Sequence, residues 1–106
     1  MDRERNAKEN EAFTLLKEVV DPELMVNIID LGLVYDVRII DEEKKIMVDL
    51  TLTSLGCPLG DVIIEDIKQL LAKNNPETIV EVNLVWQPRW TLENLTEEGK
   101  KALGRY

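Results

Sequence analysis

Cys57 is the residue in this sequence best suited to metal or thiol chemistry. The 106 residues include one cysteine and no histidine. The lack of histidine excludes Ser-His and Cys-His nucleophile pairs, histidine zinc sites and imidazole general bases. A lone cysteine excludes an internal disulfide and a four-cysteine metal site within one chain. Metal binding through the thiolate would therefore need a second chain, a partner protein or a small thiol.

The neighbours of Cys57 indicate an open position at the start of a helix. Pro58 is favoured at the first helical position because its missing N–H would be unpaired there. Unpaired N–H groups and the helix dipole favour a thiolate at this point, and Thr53 can add a hydroxyl donor. The alternative is a small buried cysteine, which is common for a free thiol. Gly56 and Gly60 on both sides favour the open loop.

Asp21 and Glu23 flank Pro22 and are the second candidate group. Two carboxylates at a fixed corner suit a metal ion or a basic group of a partner. The alternative is turn formation, because an aspartate before a proline often opens a turn, and the sequence alone favours that alternative. We predict that both carboxylates lie on the same side of the domain as Cys57.

Trp90 and Arg89 form the third candidate group. They follow a break at Pro88, beyond the last predicted strand. Trp90 would cover the thiol site or contact a partner protein. An equally weighted alternative is that Trp90 packs under the last helix.

The hydrophobic pattern predicts the elements that position these residues. Helical spacing alternates with strand-like alternation of apolar and polar residues. The predicted order is a helix from Ala12 that stops before Pro22, strands over Leu33–Ile39 and Ile46–Leu52, a helix between Asp61 and Lys73, a strand over Val80–Trp86 and a short helix capped by Thr96. A hairpin, a third strand and amphipathic helices give an α+β two-layer sandwich with a three-stranded sheet.

Composition, length and charge indicate a single globular domain. With 44% hydrophobic and 32% charged residues, the chain is typical of a globular protein, and its length suits a single domain over residues 1–106. Residues 1–10 are mostly polar, and we predict a mobile tail or a first exposed turn there. The net charge of −8 disfavours nucleic-acid binding. No apolar run reaches the ~20 residues of a membrane span, and no secretory signal is evident, so we expect a cytoplasmic protein.

Three segments resemble one family in the same order along the chain. They read DPELMVNIIDLGLVYDV, TLTSLGCPLGD and VWQPRWTLENLTEEGKKALG. They are similar to the iron–sulfur assembly family that includes SufT and the PaaD protein of phenylacetate degradation, and whose domain also occurs in the eukaryotic cytosolic iron–sulfur targeting factor. The resemblance covers about residues 12–104. It implies a small α+β domain that helps to mature iron–sulfur proteins and is not an enzyme.

The resemblance also implies a site around the same residues. The family's motif cysteine matches Cys57, within a T-x-x-G-C-P pattern that Thr53, Gly56 and Pro58 complete. The acidic D-P-E turn of the family matches Asp21 and Glu23. Two positions depart from the pattern, because members often have proline where Leu55 stands, and proline or glycine where Met25 stands. Neither departure removes a candidate ligand.

These observations predict an accessory factor in iron–sulfur cluster assembly or in cluster delivery to client proteins. Cys57 would be the thiolate for a transient cluster or for the client, and the partners would be the assembly machinery and client apo-proteins. One alternative is an adaptor in which Cys57 is only structural. Another is a thiol-redox enzyme, which is disfavoured because no second cysteine can resolve an oxidised Cys57.

One thiolate per chain also predicts a homodimer, because clusters usually take four protein ligands. The hairpin edge with Met47 and Thr51, or the loop around Leu55, would be the contact. A monomer that takes its ligands from partners is an almost equally weighted alternative.

Overall fold

A computed structural model describes residues 5–53 and 60–104. Within these ranges the chain forms a three-stranded sheet and three α-helices, which confirms the predicted α+β class and the order of elements. No helix in this part of the chain is long and apolar enough to span a membrane. The elements are α1 (Ala7–Leu15), β1 (Val34–Ile40), β2 (Lys45–Leu50), α2 (Gly60–Asn74), β3 (Ile79–Leu84) and α3 (Glu97–Leu103).

The sheet has the strand order β1-β2-β3, with β2 in the centre. β2 pairs with β1 in the antiparallel direction and with β3 in the parallel direction. Parallel neighbours need a crossover connection, and α2 supplies it. Alternate side chains of β2 and one face of α2 are buried in a common core that includes Ile46, Val48, Leu50, Ile63, Ile67 and Leu71.

The central position of β2 contradicts one of the two surfaces predicted for self-association. The hairpin edge with Met47 and Thr51 was expected to be available for self-association, but β2 is paired on both sides. Thr51 is only 1% exposed, and its Oγ1 has no hydrogen-bond partner among the described residues. The prediction of this strip is therefore wrong.

The first helix begins earlier than its hydrophobic pattern indicated. α1 starts at Ala7 and not at Ala12. For residues 7–10 the mobile tail is therefore wrong, and the other alternative, a first turn, is closer to the structure. The reason is a capping box, in which the Asn6 side chain accepts from Glu9 N while the Glu9 carboxylate accepts from Asn6 N. Polar residues thus begin this helix where the apolar pattern has no signal.

A bulge interrupts the predicted alternation of β1. The pairing register shifts between Val34 and Asp36. Val34 and Val37 are buried, whereas Tyr35, which regular alternation would place on the same face as Val37, is half-buried. Its hydroxyl donates to the carbonyl oxygen of Pro88 at 2.6 Å. The bulge therefore turns Tyr35 toward the segment that follows β3.

Candidate functional site

Residues 54–59 contain the predicted thiol site, and the structure describes the residues on both sides of this segment. Thr53 is half-buried shortly after β2, and α2 begins at Gly60. A Cβ atom added at Gly60 would lie 2.7 Å from Cδ1 of Leu52. The chain on one side of the segment is thus packed against the chain on the other, and a larger residue at position 60 would have to displace Leu52.

Three predicted site residues, Gly56, Cys57 and Pro58, lie outside the described residues. Their exposure and contacts therefore remain predictions. Among residues 5–53 and 60–104, no group of three or more acidic or cysteine side chains is arranged to hold a metal ion.

Asp21 stabilises the turn that the D-P-E sequence forms. Its side chain is 3% exposed, and its Oδ1 accepts hydrogen bonds from Glu23 N at 2.8 Å and from Leu24 N at 3.1 Å. The backbone N–H of Met25 donates to Asp21 O at 2.7 Å, and Asp21 N donates to Val26 O at 3.0 Å. This is the turn-forming alternative considered for Asp21.

Glu23 differs from Asp21 in its surroundings. Glu23 is exposed, whereas Asp21 is buried within the turn. One carboxylate is therefore largely committed to the backbone, and the other is accessible to a partner. Their position relative to Cys57 remains a prediction.

The turn after Asp21 contains a strained residue that leads to a stability prediction. Met25 has a φ of 59°, a left-handed conformation that costs a side-chain-bearing residue roughly 1–2 kcal/mol, and it is 74% exposed. We expect Met25→Gly to raise the free energy of unfolding by about 0.5–1 kcal/mol, because glycine adopts this conformation without that cost. Chemical denaturation measures the change. Leu24→Gly in the same turn is the control and should lower the free energy of unfolding. A loss of stability in Met25→Gly would contradict the prediction.

Trp90 packs against the core of the molecule, while its packing under the last helix, one of the two predicted alternatives, stays a prediction. It is half-buried against the core, and its indole Nε1–H donates to Leu31 O at 2.6 Å. Arg89 is exposed next to it. The indole donor is thus used within the chain, and a contact of Arg89 or of the exposed part of Trp90 with a partner stays a prediction.

Asp30 joins the segment before β1 to the start of α3. Its Oδ2 accepts from Asn27 Nδ2 at 2.8 Å, and its Oδ1 accepts from Thr96 Oγ1 at 2.9 Å. Thr96 N also donates to Asp30 O at 3.0 Å. The backbone N–H of Asp30 also donates to Asn27 Oδ1 at 2.8 Å. Polar residues in an apolar irregular stretch tend to form such local bonds between side chain and backbone. The bond to Thr96 has no local signal.

A family model matches most of the chain. A family model described as an iron-sulfur cluster assembly protein matches residues 9–84. The chain belongs to this family. It is 48% identical over 86 residues to the Fe-S protein maturation auxiliary factor SufT of Staphylococcus aureus, covering 81% of this chain and 97% of that protein. It is 45% identical over 101 residues to the Fe-S protein maturation auxiliary factor YitW of Bacillus subtilis, covering 95% and 97%.

The similarity extends to an epoxidase component and to a solved structure. The chain is 33% identical over 98 residues to a putative 1,2-phenylacetyl-CoA epoxidase component of Escherichia coli, covering 92% of this chain and 58% of that protein. A crystal structure of a domain of unknown function from Bacillus anthracis superposes with a TM-score of 0.86 at 45% identity, covering 92% of both chains. These matches confirm the resemblance to the SufT and PaaD-like family.

The family match ends where β3 ends, at Leu84. The segment that follows is nevertheless integrated into the fold, because Trp90 and Thr96 bond to Leu31 and Asp30. The third motif of the sequence, which begins with V-W-Q-P-R-W, thus helps to fix the segment before β1.

Proposed function

We propose that this chain is an accessory factor in the maturation of iron–sulfur proteins, acting in the cytoplasm between the assembly machinery and client apo-proteins. Membership of the iron–sulfur assembly family and the names of its relatives support the general role. In the finer form of the proposal, Cys57 is the thiolate that binds the cluster or the client. The observation that carries it is that the chain's one cysteine falls between Thr53 and Gly60, in the family's motif.

The cluster would be cargo and not a resident group. Iron–sulfur clusters are usually held by four protein ligands, and this chain offers one thiolate. The remaining ligands would come from the assembly machinery, the client or a small thiol. Because few bonds hold the cluster to the carrier, few ligands need to be exchanged when the cluster passes to a client. Such a site suits delivery, and it does not require the carrier to be an enzyme.

The adaptor alternative differs in one respect that can be measured. In an adaptor, Cys57 is structural, and the acidic surface together with Glu23, Arg89 and the exposed part of Trp90 would contact the partners. The carrier needs the thiol at position 57 for iron binding and for transfer, whereas the adaptor does not.

Anaerobic reconstitution with iron, sulfide and a small thiol tests the proposal. We expect the wild-type chain to retain iron and sulfide after desalting, with visible charge-transfer absorption, and Cys57→Ser to lose at least 90% of both. The matched control is Cys57→Ser combined with Thr14→Cys, which keeps one thiol per chain at an exposed position on α1. This control should also fail to bind, since an isolated surface thiol lacks the proposed surroundings.

Transfer to a client separates the two alternatives. The loaded wild-type chain should restore activity to an apo form of a [4Fe–4S] enzyme, and the two variants should not. Equal iron binding by wild type and Cys57→Ser would overturn the role of Cys57 as cluster ligand. Restoration of the client by Cys57→Ser, supplied with a loaded assembly scaffold, would favour the adaptor.

A further inference from the structure

The two edges of the sheet differ in how well they are protected from pairing with another strand. An exposed edge strand presents unpaired N–H and C=O groups that can pair with another chain. At the β1 edge, the Glu9 carboxylate accepts the N–H of Ile39 at 2.9 Å, and the bulge between Val34 and Asp36 distorts the strand. Both features prevent another strand from pairing there.

No described residue protects the outer edge of β3 in this way. Ile79 N donates to Lys44 O and Val85 N donates to Leu50 O, both at 2.8 Å, so the odd-numbered residues of β3 direct their backbone groups toward β2. Backbone direction alternates along a strand, so the even-numbered residues direct theirs outward. Within residues 5–53 and 60–104, no hydrogen bond is found to the outward N–H and C=O groups of Val80, Val82 and Leu84.

The side chains of β3 are also unusual for a free edge. Ile79 is 60% exposed and Leu84 is 44% exposed, and both are large and apolar. Edges that must stay unpaired usually have inward-pointing charges, proline or a bulge. Glu81 is the one charged residue of β3, and Lys45 of the neighbouring strand lies 3.6 Å from its carboxylate.

We infer that β3 is an interface between two copies of this chain, in which the two β3 strands pair antiparallel about a two-fold axis through Val82. Val82 would then face Val82 of the second copy, and Val80 would face Leu84. These are the residues with outward backbone groups, so each facing pair exchanges both N–H···O bonds. The result is one continuous sheet of two three-stranded halves. This inference goes beyond the proposed function and does not depend on it.

The side chains are complementary in this register. Glu81 faces Asn83 of the second copy, so an amide can donate to a carboxylate, and Ile79 faces Val85. Facing residues of an antiparallel pair lie on the same side of the sheet. A two-fold axis must therefore pass between a residue and the same residue of the second copy. An axis through Glu81 would place two carboxylates opposite each other, which is destabilising. The axis through Val82 avoids any pair of like charges.

The geometry of this dimer has a consequence for the thiol site. The carboxyl ends of the two β2 strands point in opposite directions and are separated sideways by three strand spacings, about 14 Å. Thr53 of one copy is therefore remote from Thr53 of the other. The dimer therefore keeps the two Thr53 residues apart.

Residue-resolved amide exchange on the wild-type chain tests the inference. Light scattering should give twice the 12.2 kDa chain mass at high concentration. Under that condition the amides of Val80, Val82 and Leu84 should exchange at least tenfold more slowly than in dilute monomer, while Glu81 and Asn83 stay protected in both. A monomer mass up to about 1 mM overturns the inference, and so does a dimer whose even-numbered β3 amides exchange as fast as in the monomer.

A pair of variants with equal net charge tests the register. Asn83→Glu places a carboxylate opposite Glu81 of the second copy, and we expect the dissociation constant to rise at least tenfold. Asn10→Glu makes the same chemical change at an exposed position on α1 and should leave it unchanged. Because Asn83 also donates to Asp49 at 3.4 Å, thermal unfolding confirms that each variant is folded. Equal dissociation constants for the two variants would refute the Val82 register.

Discussion

Gly32→Ala is expected to lower the free energy of unfolding by about 3 kcal/mol, and the midpoint of thermal unfolding by roughly 10–20 °C. Gly32 has a φ of 74°, which is unfavourable for alanine. A Cβ atom there would also overlap the carbonyl oxygen of Asn94 and approach Asn94 Cβ to 2.7 Å. The clash involves backbone, so it cannot be relieved by rotating a side chain.

Gly104→Ala is the matched control for this prediction. Gly104 has a φ of 72°, but a Cβ atom added there would have no neighbour within 4 Å among the described residues. It therefore measures the conformational cost alone, about 1 kcal/mol. Denaturant unfolding of both variants gives the difference, which we expect to exceed about 1.5 kcal/mol. Equal losses would show that the segment around Asn94 moves away at no cost.

The same variant tests how firmly the segment after β3 is attached. Asn94 Nδ2 donates to Tyr35 Oη at 3.3 Å, and Trp90 bonds to Leu31 nearby. If Gly32→Ala displaces Asn94, these neighbouring contacts weaken together. Limited proteolysis after Arg89, which is exposed, should then be faster in Gly32→Ala than in Gly104→Ala.

Local signals in the sequence account for most of the elements. α2 combines helical apolar spacing with a following proline, and its buried residues Ile63, Ile67 and Leu71 lie on the predicted face. α3 has Thr96 as its N-cap, with the side chain accepting from Gly99 N, and Gly104 ends it in a left-handed conformation. Each of these signals involves residues within one or two helical turns, so it can be recognised in the sequence without knowledge of the rest of the fold.

The remaining features depend on residues far apart in the sequence. The parallel pairing of β2 with β3 places β2 in the centre of the sheet, and no local pattern distinguishes this from β2 at an edge. The bulge in β1 and the bond from Thr96 to Asp30 arise when distant segments pack together. For the candidate site, the turn role of Asp21 follows from the Asp-Pro pair, whereas the surroundings of Cys57 stay a prediction.

Glu9→Ala is expected to lower the free energy of unfolding by about 2–3 kcal/mol. Glu9 is 4% exposed, and its carboxylate accepts the N–H of Asn6 and the N–H of Ile39, each at 2.9 Å. Its removal breaks the capping box of α1 and leaves the Ile39 donor without this acceptor. Glu11→Ala, at an exposed position of the same helix, should change the stability by less than about 0.5 kcal/mol. A comparable loss in both variants, measured by urea unfolding, would indicate that only helix propensity is involved.

Glu9→Ala should also change how the chain associates. With the Ile39 N–H released, the β1 edge would offer a backbone donor beside the bulge, so both edges of the sheet could then pair. We expect wild type and Glu11→Ala to associate no further than the β3-paired dimer. Glu9→Ala should form larger species at the same concentration. Light scattering distinguishes these states. If Glu9→Ala is folded and remains dimeric, the bulge alone is sufficient to block the β1 edge, and the role of Glu9 is confined to stability.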